Sequence, residues 1–103
     1  MQNHTKVYYN FFNYDISDEY IPCEMCNTTA VDIHHIEKRI KTRNDFIENL
    51  IGLCRDCHIK AESDSMFNMY CKIKHLENVC IQIYALIDLE KKIIKNGNSR
   101  HKS

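Results

Sequence analysis

Two C-x-x-C pairs, Cys23/Cys26 and Cys54/Cys57, bracket the histidine doublet His34-His35, and His58 directly follows the last cysteine. Four thiolates in two such knuckles suit a tetrahedral Zn²⁺, which binds sulfur at about 2.3 Å. With all four positions filled by protein, the expected role of that metal is structural. A thioredoxin-like redox pair and an iron site are the alternatives. The first needs only one C-x-x-C within a βαβ unit, and no such unit is visible.

The histidines suggest a second site. If Cys57 and His58 occupy the first turn of a helix, they point about 100° apart. Cys57 can then face the structural metal while His58 faces elsewhere. Glu62 stands four residues after His58, on the same helical face, at a spacing that suits two metal ligands. The plain reading of each feature is a solvated surface residue. Their coincidence between two knuckles favours a divalent-metal site.

These residues have to be positioned by a small chain. At 103 residues the sequence allows one small domain, and the core available to its first 65 residues is thin without a staple. No apolar run fits a signal peptide or a membrane span, so the expected location is cytoplasmic, where paired cysteines favour metal over disulfide. Formal net charge is zero, from 14 basic and 14 acidic side chains, which argues against a strongly charge-driven nucleic-acid binder. The basic residues cluster in Lys38, Arg39, Lys41 and Arg43, and again near the C-terminus.

Four segments are expected. Residues 1–21, rich in Tyr, Phe and Asn, read as a short helix or extended arm whose aromatics cover the metal module. Residues 22–65 read as knuckle, strand, loop, strand, knuckle and short helix. There Val31 and Ile33 alternate with Asp32 and His34, and a bulge at His34–His35 would explain why Ile36 is the next apolar position. Residues 66–97 read as an amphipathic helix, with apolar positions from Met66 to Ile94 at steps of three and four. Asn96-Gly97-Asn98 supplies its expected stop, and 98–103 a frayed tail. Cys71 and Cys80 fall on the apolar face as expected core residues. A helix over 66–95 is longer than a small module can cover. It must break and fold back, or pair with a second copy of the chain.

The run Val31-Asp32-Ile33-His34-His35-Ile36, followed by Glu48-Asn49-Leu50-Ile51-Gly52-Leu53-Cys54-Arg55-Asp56-Cys57-His58, resembles the HNH endonuclease family in its four-cysteine form, as in phage-encoded and mobile-element nucleases. The namesake positions are His35, Asn49 and His58, at the family's usual spacing. The resemblance implies a small α+β fold: a ββα-metal core stapled by a four-cysteine zinc site, flanked by the aromatic segment and the long helix. It implies a metal-dependent endonuclease that hydrolyses DNA phosphodiesters to 5′-phosphate and 3′-hydroxyl ends, in a bacterial cell or a phage-infected host. His35 would be the general base, a task suited to imidazole. Asn49 would brace the loop and keep His35 oriented. His34 and His58 would hold the catalytic divalent ion with Glu62, which stands where some relatives carry a histidine. Mg²⁺ or Mn²⁺ is the expected ion, and Ni²⁺ or Zn²⁺ would also fit two imidazoles and a carboxylate. Lys38, Arg39, Lys41 and Arg43 would hold the DNA backbone. The competing reading is a non-catalytic zinc module that binds nucleic acid or protein. A third makes the long helix the functional surface.

Overall fold

The computed structural model describes residues 2–38 and 45–101, with side chains through Lys95. Arg39, Lys41 and Arg43 of the expected phosphate-binding run lie outside the described residues. The chain is a small α+β fold. Helix α1 (Asn3–Phe12) is followed by the first knuckle and strand β1 (Asp32–His35). A 3-10 turn (Ile47–Asn49) then leads into β2 (Leu50–Leu53), helix α2 (Arg55–Ser63) and the long helix α3 (Ser65–His101). Together β1, β2 and α2 make the expected strand–strand–helix core.

β1 and β2 pair antiparallel through Asp32–Leu53, Ile33–Gly52, His34–Ile51 and His35–Leu50. The pairing is regular, so the expected bulge at His34–His35 is absent. Ile36 is buried for a different reason: the strand ends at His35, and the Ile36 N–H turns back to the Asn49 carbonyl at 2.9 Å. Val31 is 55% exposed, whereas His34 is the buried residue of β1. The most buried residue of this strand is therefore polar; of the two apolar positions read from the sequence, Ile33 packs against the core and Val31 does not.

All four residues of β2 are buried, because helices cover both faces of the sheet. Leu50 packs with Tyr8, Ile21, Phe12, Tyr14 and Ile33 on the α1 face. Ile51 and Leu53 pack with Ile36, Ala61, Cys71, Phe67 and the knuckle cysteines on the α2/α3 face. Gly52 faces Tyr8 so closely that a Cβ there would lie 2.9 Å from the phenol oxygen, which leaves no room for a side chain.

Local chemistry sets the helix ends. α1 stops at Asn13, whose left-handed conformation (φ 60°) lets its N–H and that of Tyr14 return to the Asn10 and Tyr9 carbonyls. The Cys54 sulfur caps α2 by accepting the Cys57 N–H. Asp64 starts α3 by accepting the N–H groups of Met66 and Phe67 at 3.0 and 3.2 Å. α3 neither breaks nor folds back, and it runs through the expected stop at Asn96-Gly97-Asn98 to His101. A glycine weakens a helix by only about 1 kcal/mol, so these residues permit termination without forcing it. Cys71 is a core residue as expected, but Cys80 is exposed, because the core under α3 ends near Val79.

The docking of α1 and α3 onto the knuckle rests on one buried carboxylate. Glu24 accepts the Tyr8 hydroxyl at 2.6 Å, the Asn78 amide at 2.8 Å and His75 Nδ1 at 3.0 Å. The other His75 nitrogen, Nε2, is 2.5 Å from the Ile47 carbonyl. The fully buried ring is thus held from both sides, between the Glu24 carboxylate and the Ile47 carbonyl. Burial, followed by the Glu24 charge, holds the Tyr8 phenol far above its ordinary pKa, so it stays a donor. Leaving a buried polar group without its hydrogen-bond partner costs about 1–3 kcal/mol, whereas replacing both partners costs much less. We therefore expect His75→Leu to lower unfolding stability in urea by about 1–3 kcal/mol, and Glu24→Gln/His75→Leu to recover part of that loss. A single variant as stable as wild type would refute the buried pair.

Candidate functional site

The four sulfurs of Cys23, Cys26, Cys54 and Cys57 lie within 4.8 Å of one another. Cys26 Sγ and Cys54 Sγ are 3.6 Å apart, close to the roughly 3.8 Å edge of a tetrahedron with 2.3 Å zinc–sulfur bonds. None of the six cysteines is in a disulfide. The knuckle turns at Asn27 (φ 68°), with the Asn27 N–H on the Cys23 carbonyl and the Cys23 N–H on the Thr28 carbonyl. The Thr28 hydroxyl and N–H pull the Cys26 thiol down to about 6, which readies it as a thiolate. Burial pushes Cys57 the other way. A cation is what lets all four sulfurs be thiolates together, so the donor set fits a metal.

A second group forms between β1 and α2. His34, His58 and Glu62 each bring one ligand atom to within 4.8 Å of the others. Glu62 Oε1 is 3.2 Å from His58 Nε2 and 3.8 Å from His34 Nδ1. Hydrogen bonds fix the tautomer of His34 and the orientation of the His58 ring. The Asn68 amide nitrogen donates to the Ile36 carbonyl at 2.8 Å, so its oxygen faces His34 and accepts the Nε2 proton at 2.9 Å. Nδ1 of His34 is left with its lone pair towards Glu62. His58 places Nδ1 2.9 Å from Asp32 and Nε2 3.2 Å from that same Glu62 oxygen, so its ring is oriented between two carboxylates. The carboxylate behind His58 is the arrangement that usually orients a metal-bound imidazole. Burial holds His34 below the ordinary histidine pKa, which keeps it a neutral donor. The Lys38 ammonium, 2.6 Å from Glu62 Oε2, holds that carboxyl below its usual range. Two ring nitrogens and a carboxylate oxygen therefore converge, and this set too fits a divalent cation.

His35 lies on the opposite face of β1, as strand alternation requires. Its Nε2 is 2.8 Å from Asp45 Oδ1, and its ring stands 5.0 Å from that of His4. Asn49 clamps the backbone just beyond His35, accepting the Glu37 N–H at 2.7 Å and donating to the Glu37 carbonyl at 3.0 Å. β1 pairs with β2 alone among the described residues, so its other edge is open. A hollow of about 290 Å³ crosses that edge and is lined by His4 and Thr5 from α1, by Asp32 and by His58. A second hollow, of about 410 Å³, adjoins the trio at His34, Lys38, Glu62 and Asn68.

Sequence spacing pointed to His34, His58 and Glu62, and the fold brings them together. It did not point to Asp32, Asn68, Asp45 or His4. Asp32 carried a signal, since it sits two residues before His34 on the same strand face. Asn68, Asp45 and His4 reach their histidines only through tertiary packing. No curated protein and no solved structure matches the chain. Residues 23–64 match the family model described as HNH endonuclease. That span runs from the first knuckle cysteine to the cap of α3 and holds both metal-type clusters. The segment from Cys23 to Asp64 is therefore similar to the HNH endonuclease family domain, a likeness that supports a nuclease-type function.

Proposed function

We propose that the protein is a metal-dependent endonuclease that hydrolyses phosphodiester bonds in DNA, leaving 5′-phosphate and 3′-hydroxyl ends. The observation that carries this reading is the convergence of His34 Nδ1, His58 Nε2 and Glu62 Oε1 inside the HNH-matched segment. Those three residues would hold the working ion, Mg²⁺ or Mn²⁺ in the first instance. When bound, such an ion supplies positive charge to the scissile phosphate and its leaving oxygen.

The protein's own groups carry the remaining work. His35 Nε2–H donates to Asp45, so Nδ1 keeps the lone pair that takes a proton from the attacking water. Asn49 fixes the backbone leaving β1, and so the position of His35 at its end. The phosphate lies over the open edge of β1, between the His4 and His58 walls of the hollow. Lys38, 73% exposed at the rim, and the sequence neighbours Arg39, Lys41 and Arg43 hold the DNA backbone. Incubation with supercoiled plasmid and Mg²⁺ or Mn²⁺ should give nicked or linear product, and His35→Ala should slow it by about 100-fold or more. The new ends should accept kinase label only after phosphatase treatment. DNA binding with no cleavage, or cleavage that survives His35→Ala, would favour the non-catalytic binding module.

The Cys23/Cys26/Cys54/Cys57 set is assigned to structural zinc. Purified protein should carry one tightly held zinc, and stripping it with a strong chelator should abolish the cooperative thermal transition, because structural zinc contributes roughly 10 kcal/mol or more. An unchanged melt after complete metal removal would sink the assignment.

The distal half of α3 is assigned to homodimerisation. Ile83, Leu86, Ile87, Leu89, Ile93 and Ile94 are all more than one-third exposed. Leu86, Leu89 and Ile93 follow steps of three and four, and Ile83, Ile87 and Ile94 steps of four and seven, which match a two-helix seam with a second copy. No helix among the described residues is long and apolar enough to cross a membrane. Light scattering should give a dimer mass at micromolar concentration, and Ile87→Lys should give a monomer. A wild-type monomer at every concentration would remove the dimer.

A further inference from the structure

A third set of metal-type donors surrounds His35 itself. His4 from the first turn of α1, His35 at the end of β1 and Asp45 before the 3-10 turn each bring one ligand atom to within 4.8 Å of the others, and all three are half-buried. They come from three separate parts of the chain, so packing of α1 against the sheet creates the group. The Asn3 amide donates to Asp45 Oδ2 at 3.0 Å, leaving Oδ1 turned towards His35. Around a zinc ion with ligand bonds of about 2.0–2.1 Å, neighbouring donor atoms lie roughly 3.4 Å apart. The 2.8 Å separation between His35 Nε2 and Asp45 Oδ1 would need to open by only about half an ångström, within reach of side-chain rotation.

We propose that His4, His35 and Asp45 form a binding site for a borderline divalent cation, Zn²⁺ foremost, and that filling it disables His35 as a base. A neutral imidazole carries one proton. In the hydrogen-bonded state that proton is on Nε2, shared with Asp45, and Nδ1 can accept. Coordination through Nε2 needs the lone pair there, so the proton resides on Nδ1 instead. The exchange runs through solvent without net proton release, and Nδ1 can no longer accept a proton from water. Two imidazoles and one carboxylate favour Zn²⁺ over Mg²⁺, which prefers oxygen donors, and over Mn²⁺, which lies lower in the affinity order. His34, His58 and Glu62 offer the same donor types, so dependence on His4 is what distinguishes inhibition at this site from displacement of the working ion. The disabling effect rests on the nuclease reading; the metal site does not.

Two measurements test the two parts. The first uses full-length His58→Ala/Glu62→Ala protein with its cysteine-bound zinc in place, titrated with Co²⁺ and followed in the visible. One further equivalent should bind without sulfur-to-metal charge-transfer bands. Adding His4→Phe, which keeps a ring against His35 but removes the donor, should weaken it by about tenfold or more. Absence of that equivalent, or equal binding in the His4→Phe protein, overturns the site. The second measures Zn²⁺ inhibition of Mg²⁺-supported plasmid cleavage, each protein relative to its own rate. His4→Phe should raise the half-inhibiting Zn²⁺ concentration by about tenfold or more. Inhibition independent of His4 overturns the disabling effect while the Co²⁺ result still decides the site. A protein that cuts nothing refutes the nuclease reading, and the titration again decides the site alone.

Discussion

Glu24 sits between the two cysteines of the first knuckle, yet its side chain belongs to the interior. Its carboxylate gathers Tyr8 from α1 and His75 and Asn78 from α3, while its N–H reaches the Gly52 carbonyl of β2. A buried carboxylate without such donors would cost several kcal/mol, so this position demands that both helices be present. The demand reaches the metal-type trio. His75 fixes the rotation and height of α3, and Asn68 lies two turns earlier on the same helix. Asn68 in turn sets which nitrogen of His34 faces Glu62 and His58. A hydrogen-bonded carboxylate in the core thus bears on the tautomer at the surface cleft.

The two-residue period of β1 imposes the other constraint. His34 and His35 are adjacent, so a regular strand must send them to opposite faces, and no bulge intervenes. A single side of the sheet cannot hold both. The open edge of β1 resolves the conflict, because a ligand lying across that edge meets residues from both faces. His4 and His58 line one hollow there, although α1 and α2 cover different sides of the sheet. A two-stranded sheet is therefore suited to this arrangement: a third strand beside β1 would close the edge.

Much of this was legible in the sequence because it depends on short spacing. The paired cysteines, the His58/Glu62 step along one helical turn and the apolar stripe of α3 are all local patterns, and each is realised as a local structure. The errors arose where burial overrode pattern. Val31 looked like an inward strand residue and is exposed, while His34 looked polar and is buried, since Asn68 supplies it with a partner that hydropathy does not register. Asp45, Asn68 and His75 carry no spacing signature because their partners are distant in the chain and meet only after folding. The Asn-Gly-Asn stop failed because these residues permit an end without forcing one, and the helix runs on to His101.

The unbroken course of α3 has a geometric consequence. From Asn68, which touches His34, to Lys95 the helix advances about 40 Å at 1.5 Å per residue, and each residue turns it by about 100°. A binding module grafted onto its last turn would be held at a fixed reach from the cleft, with its azimuth set by the number of residues between them. Lengthening the rod by one residue would swing such a module a quarter-turn or more around the axis while hardly changing its reach. Adding seven would restore the phase and move it outward by about 10 Å. The helix is thus a protractor as well as a spacer, graduated in single residues.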